Sequence, residues 1–492
     1  MFLQKLKFIV FLVGSAVVAS ATTPVVKVTS PGSGSSVGSP VNYVASASTV
    51  CAKGIAAMRI YTASGVNAYT INSNKLNTNI NLPVGSYNTV VQAWDNCGGT
   101  GKTAVNIKVS KINLAPPKFL YATEYKAGRV AEYKVNPLTG SLAATSQGSA
   151  SVHSGPVDIA SDHWGNHLYV VNAGSNDLNA YFINRSSGNL TQVSGSPFKL
   201  PGMGDRVTLN PSGHFVYVTS TNSSSISEIN AFSVQSNGSL KPVPGSPFTG
   251  PLTGVALTID PTGKYLYASA TSSGNGAVAG FTINQTNGAL TPIPGSPFLT
   301  PTYAGCTQFC SVSPSDLAAD PTGKYLFAAE NIQDSVAGFK IDQTTGALTN
   351  LPGSPYAEGM FDTGNTPKDA LRLSIAPSGK FIYVADDEGN DFSLFKLNET
   401  TGVLTFASSL GNVSNDTLKG VCVPYTVNVD PSGSFVYSLG ITTSLCTPGT
   451  NAVTGYSMNQ GTGTLMSVPG SPFANSNVHT SVISQEKVLV TR

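Results

Sequence analysis

Apolar and polar residues alternate along this chain in short runs, and after residue 118 the runs recur in a fixed order. An apolar segment such as Val255 to Ile259 leads into the turn Asp260-Pro261-Thr262-Gly263, and Tyr265-Leu266-Tyr267 follows it. Runs this short, rich in β-branched and aromatic residues and bounded by Gly and Pro, predict strands. A third run ends on an aromatic at Tyr133, Tyr181, Phe232, Phe281, Phe339, Phe395 and Tyr456. A glycine follows each of them, at 140, 188, 238, 288, 346, 402 and 463. Such glycines predict hairpins, because Gly accepts the positive φ that a tight turn demands. The fourth run leads to Gly-Ser-Pro-Phe at 195–198, 245–248, 295–298 and 470–473, and to Gly353-Ser354-Pro355-Tyr356.

The turn between the first two runs also recurs, with its glycine at 165, 213, 263, 323, 379 and 433. Self-similarity at a period of about 50 residues means stacked supersecondary units, and all-strand units of this length predict propeller blades. The seven aromatic-ended strands give seven blades over residues 118–492. Phe119-Leu120-Tyr121 already has second-strand character, while Val478 to Ile483 supplies a surplus first strand near the end. That tail strand is expected to complete blade one and close the ring, which removes exposed sheet edges. Val488 to Thr491 resembles one more second strand and has no place in this scheme.

Residues 22–110 lack the repeat and show alternating segments at Val25 to Val28, Val41 to Ala47, Met58 to Thr62, Tyr87 to Trp94 and Val105 to Val109. Short strands with frequent Gly, Ser and Asn turns predict a β-sandwich. With its Tyr87 to Trp94 strand running into Asp95-Asn96-Cys97-Gly98-Gly99, the segment resembles the immunoglobulin-like modules of exported bacterial proteins. Cys51 and Cys97 follow two of its strands and are expected to form a disulfide across one end. Asp95 and Asn96 fall well short of the oxygen donors that calcium takes, which makes them turn formers. Residues 111–117 end in Pro116-Pro117 and predict an extended linker.

Composition narrows the function. Lys and Arg exceed Asp and Glu by only 2 among 492 residues, and no basic run alternates with aromatics, so nucleic acid is not an expected partner. Lys5 and Lys7 precede the apolar run Phe8 to Ala19, and Ala19-Ser20-Ala21 has the small-x-small form of a signal-peptidase site. Residues 1–21 therefore read as a signal peptide, and the run is too short for a membrane span, which needs about 20 apolar residues. An extracytoplasmic location, whether periplasmic, cell-surface or secreted, follows, and it favours disulfides.

Chain direction separates the two faces of the ring. The Asp-Pro-Thr-Gly turns and the hairpin glycines share a tight, uniform face. The other face carries connections of variable length at Thr300 to Ser315, Ala357 to Ala370, Gly411 to Pro424 and Leu439 to Asn451. Long loops on a rigid scaffold are where binding usually resides. Cys306 with Cys310, and Cys422 with Cys446, are expected to staple these loops. No histidine lies near either pair, so no metal site is expected there.

The first strand of each blade enters from the variable face. The paired entry positions are Val157/Asp158, Asp205/Arg206, Val255/Ala256, Ser315/Asp316, Leu371/Arg372, Tyr425/Thr426 and His479/Thr480. Charge is scarce in this chain, yet five of these seven pairs hold an ionisable residue. Asp158, Arg206, Asp316 and Arg372 are the candidate catalytic residues. His479, with Glu124, Glu330 and Asp386 at the ends of second strands, are candidate ligand contacts. Carboxylates can supply a base and guanidiniums an oxyanion partner; the plainer reading is solvated charges or structural ion pairs at a wet channel. No phosphate-cradling glycine loop or dinucleotide fingerprint occurs, so no cofactor is expected.

Asp-Pro-Thr-Gly-Lys-Tyr-Leu-Tyr, the aromatic-ended third strand, Thr-Gly-Ala-Leu and Gly-Ser-Pro-Phe together resemble the seven-bladed propeller lactonase family, which includes 6-phosphogluconolactonases and carboxymuconate-lactonising enzymes. The resemblance implies hydrolysis or formation of a lactone ring at the variable face. Family members commonly present Pro-Arg-His where a first strand enters; Pro156-Val157-Asp158, Pro314-Ser315-Asp316 and Pro424-Tyr425-Thr426 keep only the proline. Two functions follow as expectations. One is an exported lactonase acting on a sugar or other small lactone; the other is a non-catalytic surface protein whose propeller loops hold a glycan or a protein partner.

Overall fold

A computed structural model describes residues 23–37, 41–80, 82, 85–109, 116, 118–301, 314–330, 335–358, 370–386, 391–410, 424–440, 452–474 and 487–491. The expected signal peptide, most of the 111–117 linker, Cys306, Cys310, Cys422, Cys446, His479 and the Val478 to Ile483 segment lie outside these residues. The chain divides into two compact units, Met1–Asn113 and Leu114–Arg492. No helix among the described residues is long and apolar enough to cross a membrane.

In the first unit, Val25–Ser30, Val41–Ser48 and Lys75–Ile80 form a three-stranded sheet. Ser36–Val37, Thr100–Val109, Gly85–Asp95, Ile55–Ala63 and Val66–Ile71 form a second sheet of five. Alternation sends Tyr43 and Leu76 of one sheet, and Met58, Ile60, Val91 and Ile107 of the other, into one shared core, which makes a β-sandwich. Cys51 and Cys97 are disulfide-bonded. Asp95 lies beside them, buried, and its carboxylate accepts the N–H of Cys97 at 3.0 Å, the N–H of Gly99 at 2.8 Å and the Thr49 hydroxyl at 2.7 Å. It shapes the turn that carries Cys97.

The described residues of the second unit form seven antiparallel sheets, one per repeat. Blade two is representative, with Pro156–Ser161 innermost, then His167–Asn172, Asp177–Ile183 and Leu190–Gln192. The inner strands touch in cyclic order from Pro156–Ser161 round to Asn428–Val429 and Val488–Thr491, and the last of these touches the first. The ring is therefore closed by Val488–Thr491, which pairs with Phe119–Glu124 in the register Val488↔Ala122 to Thr491↔Phe119. The expectation had given closure to Val478 to Ile483. Both runs are short and rich in β-branched residues, so propensity could not choose between them; the register against Tyr121 does.

The repeated residues stitch five of the seven blades to the next; the Tyr169 hydroxyl of blade two makes no such bond, and blade five carries Phe327 in its place. The second-strand tyrosine donates its hydroxyl proton to the hairpin-glycine carbonyl of the following blade: Tyr121 to Gly188 at 2.7 Å, Tyr217 to Gly288 at 2.9 Å, Tyr267 to Gly346 at 2.8 Å and Tyr383 to Gly463 at 2.5 Å. Tyr437 to Gly140 at 2.7 Å makes the same bond across the closing seam. The hairpin glycine also lets an aromatic ring of the preceding blade come close. At Gly288, a Cβ would lie 2.4 Å from the Phe215 ring, and φ is +78°. Gly274 has a similar φ of +80° but open space around it. Gly288→Ala is therefore expected to lower stability by about 1–3 kcal/mol more than Gly274→Ala, the excess measuring overpacking rather than backbone strain. Urea midpoints of the two variants check this, and equal midpoints would refute the close-packing account.

Asp260 has a matching role on the tight face. Its buried carboxylate accepts the N–H of Tyr265 at 2.7 Å and of Thr262 at 2.9 Å, and Asp320 and Asp430 repeat the arrangement. The most repeated motif in the chain thus specifies scaffold.

Candidate functional site

The register fixes which side chains share a depth in the ring. Leu489, Ala160, Thr208, Thr258, Ala318, Ser374 and Asn428 each pair with the signature aromatic of their own blade. Side chains two positions earlier leave the same face of each sheet. Those positions are Lys487, Asp158, Arg206, Ala256, Asp316, Arg372 and Thr426, so the four candidate catalytic residues occupy one tier.

Asp158 is 1% exposed, and both of its oxygens are engaged. Oδ2 accepts the N–H of Val207 at 2.7 Å, in the inner strand of the next blade, and Oδ1 lies 2.9 Å from the Lys487 ammonium. Asp316 repeats half of this pattern, its Oδ2 accepting the N–H of Leu373 at 3.1 Å. Each aspartate therefore reaches the residue that follows an arginine: Val207 after Arg206, Leu373 after Arg372. Arg206 is buried and holds the Asp205 carboxylate through Nη1, which also donates to the Asp205 carbonyl at 3.2 Å. Arg372 is buried and donates from Nη1 to the Ser315 carbonyl at 3.2 Å.

Electrostatics link these groups. Burial, and then the Arg206 guanidinium, pull Arg372 down to about 10, while Asp316, Asp158 and Asp205 act in the opposite sense. Arg372 thus feels all three of the other candidate residues and remains charged at neutral pH. The tier offers two guanidiniums of like charge and a carboxylate, the groups needed to stabilise a developing oxyanion and to accept a proton from water.

Lys487 escaped the sequence reading. The strand it serves, Phe119–Glu124, lies at the other end of the propeller sequence, so its tier residue is identified only through that pairing. Placement of blade one's entry at His479 and Thr480 followed from the same choice of closing strand.

Glu124, Glu330 and Asp386 lie elsewhere for one shared reason. Glu330 follows Ala329 and Asp386 follows Ala385, the register partners of Asp316 and Arg372, and Glu124 follows Thr123, which is bonded to Lys487. One step along a strand reverses the face, so these carboxylates leave the opposite side of each sheet from the tier. Glu124 pairs with Arg129 across its own hairpin. Glu330 and Asp386 are both fully buried.

Burial pushes the Glu330 carboxyl well above the usual carboxylate range, with a Thr300 hydrogen bond acting in the opposite sense. A raised folded-state value means that this contribution to stability is complete below about pH 4.3, the ordinary Glu value, and is lost as pH rises through the higher folded value. Glu330→Gln is expected to unfold at a higher temperature than the parent at pH 8, with the difference vanishing near pH 4. Thermal melts at the two pH values check it; a difference independent of pH contradicts the assignment.

His153, in the connection entering blade two, holds the buried Asp177 carboxylate through Nδ1 at 2.8 Å. Asp177 also accepts from Asn172 at 2.9 Å, Ser175 at 2.9 Å and Lys199 at 3.2 Å, and these hydrogen bonds hold its carboxyl below the usual range against the opposing effect of burial. This network anchors the connection to its blade.

Comparison with known proteins bears on the whole ring. The family described as Lactonase, 7-bladed beta-propeller, matches residues 112–307 and 300–424. A 6-phosphogluconolactonase of Pectobacterium carotovorum is 24% identical over 137 residues, which are 28% of this chain and 38% of that protein. A probable 6-phosphogluconolactonase of Arthroderma benhamiae is 32% identical over 96 residues, 18% of this chain and 22% of that protein. The matches to these relatives therefore span well under half of their length. Among solved structures, a putative 6-phosphogluconolactonase from Bacteroides uniformis aligns with a TM-score of 0.58 at 17% identity, over 76% of this chain and 100% of its own. The periplasmic gluconolactonase of Pseudomonas aeruginosa aligns with the same TM-score and identity, over 76% of this chain and 99% of its own. At that identity the structural likeness speaks for the fold alone. Asp158, Arg206, Asp316 and Arg372 all fall within the family match, and the chain belongs to the seven-bladed β-propeller lactonase family.

Proposed function

We propose that this protein hydrolyses a small lactone, a free sugar lactone in the first instance, at the inner tier of the propeller. The observation that carries the reading is the electrostatic grouping of Arg372 with Arg206, Asp316 and Asp158 in a buried setting. Asp316 is the better base, because both oxygens of Asp158 are already engaged by Lys487 and Val207. Asp316 takes a proton from water, the resulting hydroxide adds to the ring carbonyl, and Arg372 with Arg206 stabilises the oxyanion. Collapse breaks the ring C–O bond, and the proton returns from Asp316 to the departing ring oxygen, leaving an open hydroxy acid. The base is regenerated.

The disulfide in the first unit and the resemblance to a periplasmic gluconolactonase support an extracytoplasmic location and, with it, a substrate without phosphate. An immunoglobulin-like first unit would serve there as a spacer. The second reading, a surface protein that binds a glycan or protein without turnover, is favoured by the missing Arg and His at Pro156-Val157-Asp158 and its equivalents. Proton release from a panel of γ- and δ-lactones, phosphorylated and not, separates the two. Turnover above the spontaneous rate supports the enzyme; none on any lactone, with retained glycan binding, supports the binding protein.

A further inference from the structure

We infer that Lys487 is a positioning residue of this site: it neutralises Asp158, keeps the two guanidiniums available to ligand, and makes a complete site conditional on closure of the ring. The inference rests on the proposed placement of ligand at Arg206 and Arg372.

Lys487 immediately precedes the closing strand, and closure alone fixes its position. Its carbonyl accepts the Thr123 N–H at 3.0 Å, and its own N–H donates to the Thr123 hydroxyl oxygen at 2.8 Å. From there the ammonium reaches from blade one to blade two, meeting Asp158 Oδ1 at 2.9 Å, while Asp158 Oδ2 holds the backbone beside Arg206. One carboxylate thus joins blades one, two and three. The Asp158 side chain is 2% exposed, so its charge needs a partner inside the protein.

Without the ammonium, the neighbouring positive charges are the guanidiniums of the same tier, and Asp158 already acts electrostatically on Arg372. A carboxylate left with one N–H would compete with ligand for them. Charge balance at Asp158 therefore protects the anion-stabilising function of Arg206 and Arg372. Because the balancing charge arrives on the last strand, whatever binds the two arginines favours the closed ring by linkage.

The test uses the full chain with Lys487→Gln, Lys487→Arg, Asp158→Asn and the double variant Asp158→Asn/Lys487→Gln. Lys487→Gln is expected to lower kcat/KM by about 30-fold, mainly through kcat, less than loss of an oxyanion donor itself, because the lysine acts through Asp158. Lys487→Arg retains most activity. The double variant recovers to within about threefold of Asp158→Asn alone, because removing the negative charge removes the need for the positive one. Losses that simply multiply in the double variant overturn the inference in favour of a purely structural lysine.

A second measurement stands apart from turnover. Amide hydrogen exchange over residues 488–491 is expected to be about tenfold faster in Lys487→Gln and to slow again in the double variant. Unchanged exchange in Lys487→Gln overturns the inference even if lactone hydrolysis is confirmed. Restored exchange in the double variant supports it even if no lactone is turned over, an outcome that would defeat the proposed function alone.

Discussion

Deletion of residues 487–492 is expected to abolish cooperative unfolding of the propeller. The deleted segment holds the whole inner strand of blade one, and its loss opens the Phe119–Glu124 edge along the register Val488↔Ala122 to Thr491↔Phe119. Val488 and Val490 are buried in a core with Leu120, Phe435 and Tyr437, which joins blade seven to blade one. Each such valine contributes about 1.5–3 kcal/mol, so two valines and a row of ladder hydrogen bonds approach the total stability of an ordinary domain, about 5–15 kcal/mol. The exposed edge also invites association with other chains. Circular dichroism melts and size-exclusion chromatography of the truncated protein check this. A sharp transition at the parent temperature, from a monomer, would show that closure lies elsewhere in the tail.

Under the proposed mechanism, loss of Asp316 or Arg372 is expected to remove turnover without removing the fold. Asp316→Asn keeps an oxygen for the Leu373 N–H, so the inter-blade tie at 3.1 Å survives while the base is gone. A fall in kcat of about 10²–10⁴ is the normal consequence of losing a general base. Arg372→Ala removes the charge that couples to Arg206 and Asp316, and a loss of about 10²–10³ follows for an oxyanion partner. Arg372→Lys rescues little, since a point charge does not reproduce a planar fork reaching both the Ser315 carbonyl and a ligand. Asp158→Asn produces a smaller loss than Asp316→Asn, because Asp158 serves the seam and not the water. Steady-state kinetics with thermal melts separate these effects: kcat falls for Asp316→Asn at unchanged melting temperature, while Arg372→Ala, which also loses the bond to the Ser315 carbonyl, and changes at Asp158 move stability as well.

Much of this was visible in the primary structure, because a repeat protein writes its geometry several times. The turn at Asp260-Pro261-Thr262-Gly263 marks a fixed depth, and counting back from its six copies placed Asp158, Arg206, Asp316 and Arg372 in one tier. The hairpin glycines and the tyrosines of Tyr-Leu-Tyr could be seen to repeat, but not to bond one another across blades, since that contact joins residues far apart in the chain. Where the repeat is interrupted, depth along the strand is no longer marked. Two apolar runs near the end competed for blade one, and only pairing with Phe119–Glu124 distinguished Val488–Thr491 and exposed Lys487. Glu124, Glu330 and Asp386 show what counting along the chain leaves out. Their position at strand ends was right, but a one-residue step reverses the face of a strand, and that step directs them away from the tier.

The division of labour between two chemically identical side chains is the most specific claim made for this protein. Lys487 and Val207 occupy both oxygens of Asp158, whereas Leu373 engages Asp316 through Oδ2. The most direct test follows proton release at constant pH from glucono-δ-lactone and related lactones, with the parent chain and Asp316→Asn side by side. The account predicts turnover by the parent above the spontaneous rate and a loss of about 100-fold or more in Asp316→Asn at unchanged melting temperature. Undiminished turnover in Asp316→Asn, or no turnover of any lactone by the parent, would contradict it.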